Sequence, residues 1–178
     1  MASEETLPNS EFAFDLLKIL KVSYHVRRHS LKVAEKALEI AEKIDKKDID
    51  KDLIEIGGIL HDIGRSKTHD FKHGIIGANI LIERGFSKRL SRICETHILG
   101  GLDKEDAKKI GLPERDYLPL TLEEKIVCLA DKYIDGTKDV SIEQRFEKWF
   151  SKYGKTQILI KAKERIAIIQ KEIENLTN

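Results

Sequence analysis

Residues 59–65 read Ile-Leu-His-Asp-Ile-Gly-Arg, which sets an imidazole and a carboxylate side by side at the end of an apolar, helix-like run. An unpaired charge buried beside such a run costs roughly several kcal/mol. A divalent metal ion satisfies both groups, because His and Asp suit borderline cations. Successive helical residues point about 100° apart, so His61 and Asp62 reach one ion only where the helix ends. Gly64 is placed to end it, as Gly past a last turn commonly does. A histidine near the negative end of a helix dipole is the alternative for the dipeptide taken alone.

The flanking sequence predicts helices throughout. Phe12, Leu16, Leu17 and Leu20 have helical spacing within Pro8 to Leu20. Ser23 is placed to cap a second helix reaching about Ile44, which carries His25 and His29. His25 has polar neighbours in Tyr24, Arg27 and Arg28 and reads as half-exposed; His29 is the candidate ligand. Asp50 caps a helix over Lys51 to Ile63, in which Gly57-Gly58 costs about 1 kcal/mol per glycine. Close approach of a neighbouring helix is the expected compensation. A polar loop (Arg65 to Lys72), a helix from His73 to Glu83 and another from Ser87 to about Thr96-His97 follow. A short helix is expected over Asp103 to Ile110. Capping boxes at Thr121…Glu124 and Ser141…Gln144 open two further helices, the first ended by Gly136. Ile158, Leu159, Ala162, Ile166, Ile169 and Ile173 stripe the last one, over Lys155 to Leu176. Phe146 and Trp149 are expected to pack on this stripe, which serves either as core or as a homodimer seam. No strand is expected: the fold class is all-α.

Composition removes several functions. With 32 basic and 31 acidic residues the net charge is +1, so no bulk field favours nucleic acid or a membrane surface. No apolar run reaches the ~20 residues of a membrane helix, and the polar, acidic start is wrong for a secretory signal. Cys94 and Cys128 are too few for a disulfide framework and read as small buried hydrophobes. A reducing, cytoplasmic setting is expected.

His29, His61, Asp62, His73, His97 and Asp131 all fall at helix ends or on inner faces. Their spacing is too wide for a local clip, so packing must assemble any site they form. Six N/O ligands suit two ions sharing a carboxylate, or one ion with ligands to spare. Paired ions activate water and clamp a phosphoryl group under attack. From the residues alone, Arg65 is the best phosphate clamp, its planar fork matching phosphate oxygens, or else an exposed helix-terminal cation. Lys67 and His69 either contact substrate, one of them donating a proton to the leaving group, or lie in a solvated loop. Arg28 is a surface cation or a further neutraliser of phosphate.

Arg28-His29-Ser30, His61-Asp62-Ile63-Gly64, His73-Gly74-Ile75-Ile76-Gly77-Ala78, Glu95-Thr96-His97 and Leu129-Ala130-Asp131-Lys132 together resemble the HD-domain superfamily of metal-dependent phosphohydrolases. The chain looks most like the small stand-alone archaeal HD proteins and is similar to branches that hydrolyse dinucleoside polyphosphates. The resemblance implies an HD-like helical bundle over residues 9–136, preceded by a flexible tail (1–8) and followed by C-terminal helices (137–178). It implies that His29, His61, Asp62 and Asp131 bind a first ion and that Asp62 bridges to a second held by His73 and His97. The ions would be Fe, Mn, Ni, Co, Zn or Mg, one or two per chain. The loop between Asp62 and His73 is short, so the lid of larger relatives is not expected. His97 stands alone where some cyclic-dinucleotide phosphodiesterases have a pair, and no Gly-Tyr-Pro signature occurs, so that branch is not expected either. The implied activity is hydrolysis of a small nucleotide-like phosphate ester or anhydride by metal-activated water; the residues themselves add Asp62 and Arg65 at the chemistry and Arg65, Lys67 and His69 on the substrate. A non-catalytic metal or nucleotide sensor, or a partner module for RNA-modifying machinery, is the alternative.

Overall fold

Asn9, Ser23, Asp50, Ser87, Asp103, Thr121, Ser141 and Thr156 each accept a backbone N–H of the helix that follows, so side-chain chemistry sets where most helices begin. The computed structural model describes residues 6–45 and 48–177. Within them lie α1 (Ser10–Ile19), α2 (Tyr24–Glu42), α3 (Lys51–Leu60), a 3-10 turn (Ile63–Ser66), α4 (His73–Glu83), α5 (Lys88–Thr96), α6 (Lys104–Lys109), α7 (Leu122–Lys132), α8 (Ile142–Tyr153) and α9 (Gln157–Glu174). The fold is all-α. Among the described residues no helix is long and apolar enough to cross a membrane.

Helix α3 is the hub, packed against α1, α2, α5 and α7. Seven of its ten residues are buried. A Cβ at Gly58 would lie 2.6 Å from Ala34 Cα, and one at Gly57 would lie 2.4 Å from Ile93 Cδ1. Gly58 therefore lets α2 approach backbone to backbone, as the sequence implied, and Gly57 makes room for the Ile93 side chain of α5.

Four local readings differ from the structure. Gly64 is not a left-handed helix stop: it sits inside the 3-10 turn, where a Cβ would meet His73 O at 1.9 Å. The turn thereby docks directly on the start of α4. Thr121 caps α7, but Glu124 does not complete the box; its carboxylate accepts from Leu120 N and pairs with Arg92. Gly136 does not end α7 either. With φ of 63° it reverses the chain between two-residue antiparallel strands, β1 (Ile134–Asp135) and β2 (Lys138–Asp139). Two residues per strand are too short to show alternation in the sequence, so this hairpin was not foreseen. Finally, within the tail expected over residues 1–8, Thr6 bridges to Phe86 and Leu7 packs on the core; residues 1–5 lie outside the described residues.

The stripe of α9 is covered by the chain itself, with Leu159, Ala162, Ile166, Ile169 and Ile173 buried. Lys161 and Arg165 on the same helix hold Asp103 and the fully buried Asp106 of the α6 start. Cys94 and Cys128 are free and fully buried.

Gly→Ala within a helix ordinarily stabilises by about 1 kcal/mol. At Gly58 the sign is expected to reverse, with a loss of about 1–3 kcal/mol from overpacking, read as a lower urea midpoint at unchanged slope. A second test concerns acid. Burial raises the Asp103 carboxyl, but Lys161, Asp106 N and Arg165 outweigh it and hold it down at about 2. A depressed carboxylate contributes stability above its unfolded pKa and loses it as pH falls through the folded value. Thermal stability of the wild type should therefore decline more steeply between about pH 4 and pH 2 than that of Asp103→Asn.

Candidate metal centre

Helix ends deliver every candidate ligand. His29 lies in the second turn of α2, His61 is the C-cap of α3, Asp62 precedes the 3-10 turn, and His73 opens α4. His97 is the C-cap of α5, and Asp131 is the penultimate residue of α7. The Gly58 contact brings in α2, the Gly57 contact brings in α5, and Ile93 stands one turn before His97. All six residues meet.

The Nδ1 atoms of the four histidines each face a backbone carbonyl: His29 to Gly136 at 2.8 Å, His61 to Gly58 at 2.8 Å, His73 to Asp70 at 2.6 Å and His97 to Cys94 at 2.8 Å. A carbonyl only accepts, so each Nδ1 carries the proton and each Nε2 turns a lone pair inward. Burial first, and then neighbouring His61 and His73, hold His97 down at about 4, which keeps it neutral at pH 7. His73 Nε2 and His97 Nε2 are 3.2 Å apart, and they lie 3.0 and 3.4 Å from Asp62 Oδ1. On the other side His29 Nε2 and His61 Nε2 lie 2.9 and 3.5 Å from Asp131 Oδ1, and His61 Nε2 lies 3.7 Å from Asp62 Oδ2. The two oxygens of Asp62 thus face different histidine sets.

Acceptors facing acceptors at such distances repel unless a cation lies among them. His61 Nε2 and Asp62 Oδ1 are buried and have no hydrogen-bond partner. Ligand atoms sharing one ion at bond lengths of about 2.1 Å sit roughly 3.0–3.4 Å apart, close to these separations. The chemistry therefore fits divalent metal on both sides of Asp62. Burial, the largest influence, lowers the His61 pKa, yet the Asp62 and Asp131 carboxylates overcome it and raise it.

Two cations border the cluster. Arg65 Nε pairs with Asp62 Oδ2 at 2.8 Å. Lys132 was missed as a site residue by sequence reasoning. It is 1 % exposed, and its ammonium donates to Asp131 Oδ2 (2.6 Å), His97 O (2.8 Å) and Cys128 O (3.4 Å). It leaves Asp131 Oδ1 to the histidines and ties the end of α5 to α7. The sequence signal was its place four residues after buried Cys128, on an apolar helix face. Arg145 of α8 is likewise buried and donates to Asp131 O, Lys132 O and Ile134 O, bracing the end of α7.

The cluster floors a cleft of about 850 Å³. Arg65 and His69 line it, as does His25; Lys67 and Arg28 are exposed and do not lie among the lining residues.

The HD domain family model matches residues 26–134. The chain belongs to the HD domain family. It is 48% identical over 168 residues to an uncharacterized protein of Methanocaldococcus jannaschii, spanning 93% of this chain and 97% of that protein. It is 36% identical over 165 residues to a tRNA (cytidine(56)-2′-O)-methyltransferase of Thermoplasma volcanium, and 36% identical over 146 residues to that of Picrophilus torridus. These matches span 93% and 82% of this chain but only 46% and 42% of the methyltransferases. Among solved structures, the HD domain of the L. monocytogenes phosphodiesterase PgpH in complex with cyclic-di-AMP aligns with a TM-score of 0.52 at 20% identity, over 89% of this chain and 96% of that one. That likeness is one of fold. In this HD domain α8 and α9 lie beyond the matched residues.

Lys132→Met should remove about 3–5 kcal/mol of stability by leaving Asp131 uncompensated, measured by chemical denaturation. Lys132→Arg, which keeps the charge, should recover part of it.

Proposed function

We infer that this HD domain is a divalent-metal-dependent phosphohydrolase acting on the phosphate ester or anhydride of a nucleotide-like substrate. The observation that carries the reading is the crowding of acceptors: four Nε2 lone pairs converge on two carboxylates, with Asp62 divided between two histidine sets. In it His29, His61, Asp62 and Asp131 would hold one ion, and Asp62, His73 and His97 a second. Ions held there supply Lewis acidity toward a phosphoryl oxygen and activate water.

The chain's own residues do the rest. The four carbonyls that take the Nδ1 protons fix each imidazole in the ligating tautomer, an orientation that metal sites depend on. Lys132 holds Asp131 in one rotamer. Arg65, bonded to Asp62 Oδ2, stands at the edge of the cleft where its remaining N–H groups can receive phosphate oxygens, stabilising charge as it develops. His69 lines the same cleft and is the available proton donor to a leaving group.

A non-catalytic metal- or nucleotide-binding module serving RNA-modifying machinery is the second reading. It draws on the two tRNA methyltransferases that contain a segment like this chain.

Elemental mass spectrometry should find about two metal equivalents in the wild type, falling towards one in His73→Ala with His97→Ala. Chelation should lower Tm, since an ion bound only by the folded state stabilises it. Asp62→Ala should abolish turnover of nucleotide phosphates while the chain stays folded. Full activity in that variant sinks the hydrolase reading, and metal without any turnover favours the second.

A further inference from the structure

The lining of the cleft is of two unlike kinds. One part is the polar cluster, whereas another is a wall supplied by α8 and the start of α9, with Trp149, Tyr153, Ile158 and Leu159 among the lining residues, as is Leu99. None of the α8 and α9 residues falls within the 26–134 family match, so this wall belongs to the chain's own C-terminal extension.

Trp149 is held in place. Its ring stands edge-on to fully buried Phe146, at 5.1 Å and 84°, and Arg145 lies 5.4 Å from its centroid. Arg145 is itself pinned by the three carbonyls at the end of α7, the helix that carries Asp131. The wall and the metal floor are therefore braced by one side chain. One turn on, Tyr153 is 57% exposed and lines the cleft. An aromatic plane fixed before binding loses little entropy on receiving another flat ring.

We propose that α8 forms a ring-recognition wall, on which Trp149 and Tyr153 take the base of a mononucleotide whose phosphate lies over the His/Asp floor. The inference rests on the phosphohydrolase reading and deepens it. A cleft of about 850 Å³ falls in the range of roughly 300–1,000 Å³ that holds one small molecule. A net charge of +1 provides no field for a polyanion.

Trp149 is the chain's only tryptophan, so its fluorescence reports the wall directly. The metal-loaded wild type is titrated with the methylene phosphonate analogue of AMP, which cannot be hydrolysed, and with inorganic phosphate. Saturable change with the analogue and none with phosphate is expected. Tyr153→Ala should weaken the analogue about 10- to 100-fold, the loss of one stacking partner, while leaving the affinity for phosphate unchanged. In calorimetry Trp149→Ala should behave likewise and Trp149→Phe should recover most of the affinity. Equal responses to phosphate and analogue, unchanged affinity in Tyr153→Ala, or tighter binding of octyl phosphate or of a short single-stranded RNA would each overturn the proposal. The two readings part cleanly. Metal-dependent hydrolysis with equal kcat/KM for AMP and ribose 5-phosphate, and no ring-dependent signal, keeps the hydrolase and removes the wall. Ring-dependent binding without turnover does the reverse.

Discussion

A methyl group at Gly58 would press on the Cα of Ala34, and one at Gly57 would press on Ile93. Hydrogen at Gly58 lets α2 lie this near to α3, and hydrogen at Gly57 seats Ile93 of α5 against the same helix. His29 and Ala34 share α2, and Ile93 lies on α5, which His97 caps, so the same contacts that close the core bring two candidate ligands beside His61 and Asp62. Gly64 acts alike for the fourth histidine, seating the 3-10 turn on the first residue of α4. Interiors are packed densely enough that such contacts fix positions to fractions of an ångström. The helix propensity lost at these glycines is the energetic counterpart of that accuracy.

What the packing assembles is electrostatically unsatisfied. Histidine Nε2 atoms and carboxylate oxygens crowd together, while the ring protons are all engaged on the outside by carbonyls. Two of the buried acceptors have no partner at all. Arg65 and Lys132 each neutralise one side, yet both do so through the carboxylate oxygen that points away from most of the imidazoles. The centre stays short of positive charge at its middle. A structure built only for stability would have placed a hydrogen-bond donor or an apolar side chain there.

The extension beyond the matched residues is joined to that centre through Arg145, whose carbonyl contacts are on Asp131 and Lys132 at the end of α7 and on Ile134 of β1. The hairpin that β1 opens contains Gly136, whose carbonyl orients His29. The hairpin too small to read in the sequence thus sets the tautomer of His29, and Arg145 of α8 bonds to that hairpin. Fold and site are not separable in this part of the chain.

The sequence by itself determined the helices, because caps and apolar periodicity are local: Ser23, Asp50, Ser87 and Ser141 each begin a helix where their chemistry requires. It also marked the candidate ligands, since their order along the chain resembles one family and each lies at a helix end or on an inner face. It could not determine Lys132 or Arg145 as supports, because a buried cation looks like any surface cation until its partners on other helices are known. Nor could it assign the cleft wall. Trp149 fits the stripe of a core helix, and only the approach of α8 to the end of α7 shows that its ring also borders the cleft. The separation follows from range: capping and periodicity act within a few residues, whereas imidazole and carboxylate groups drawn from five helices meet only when the whole bundle has closed.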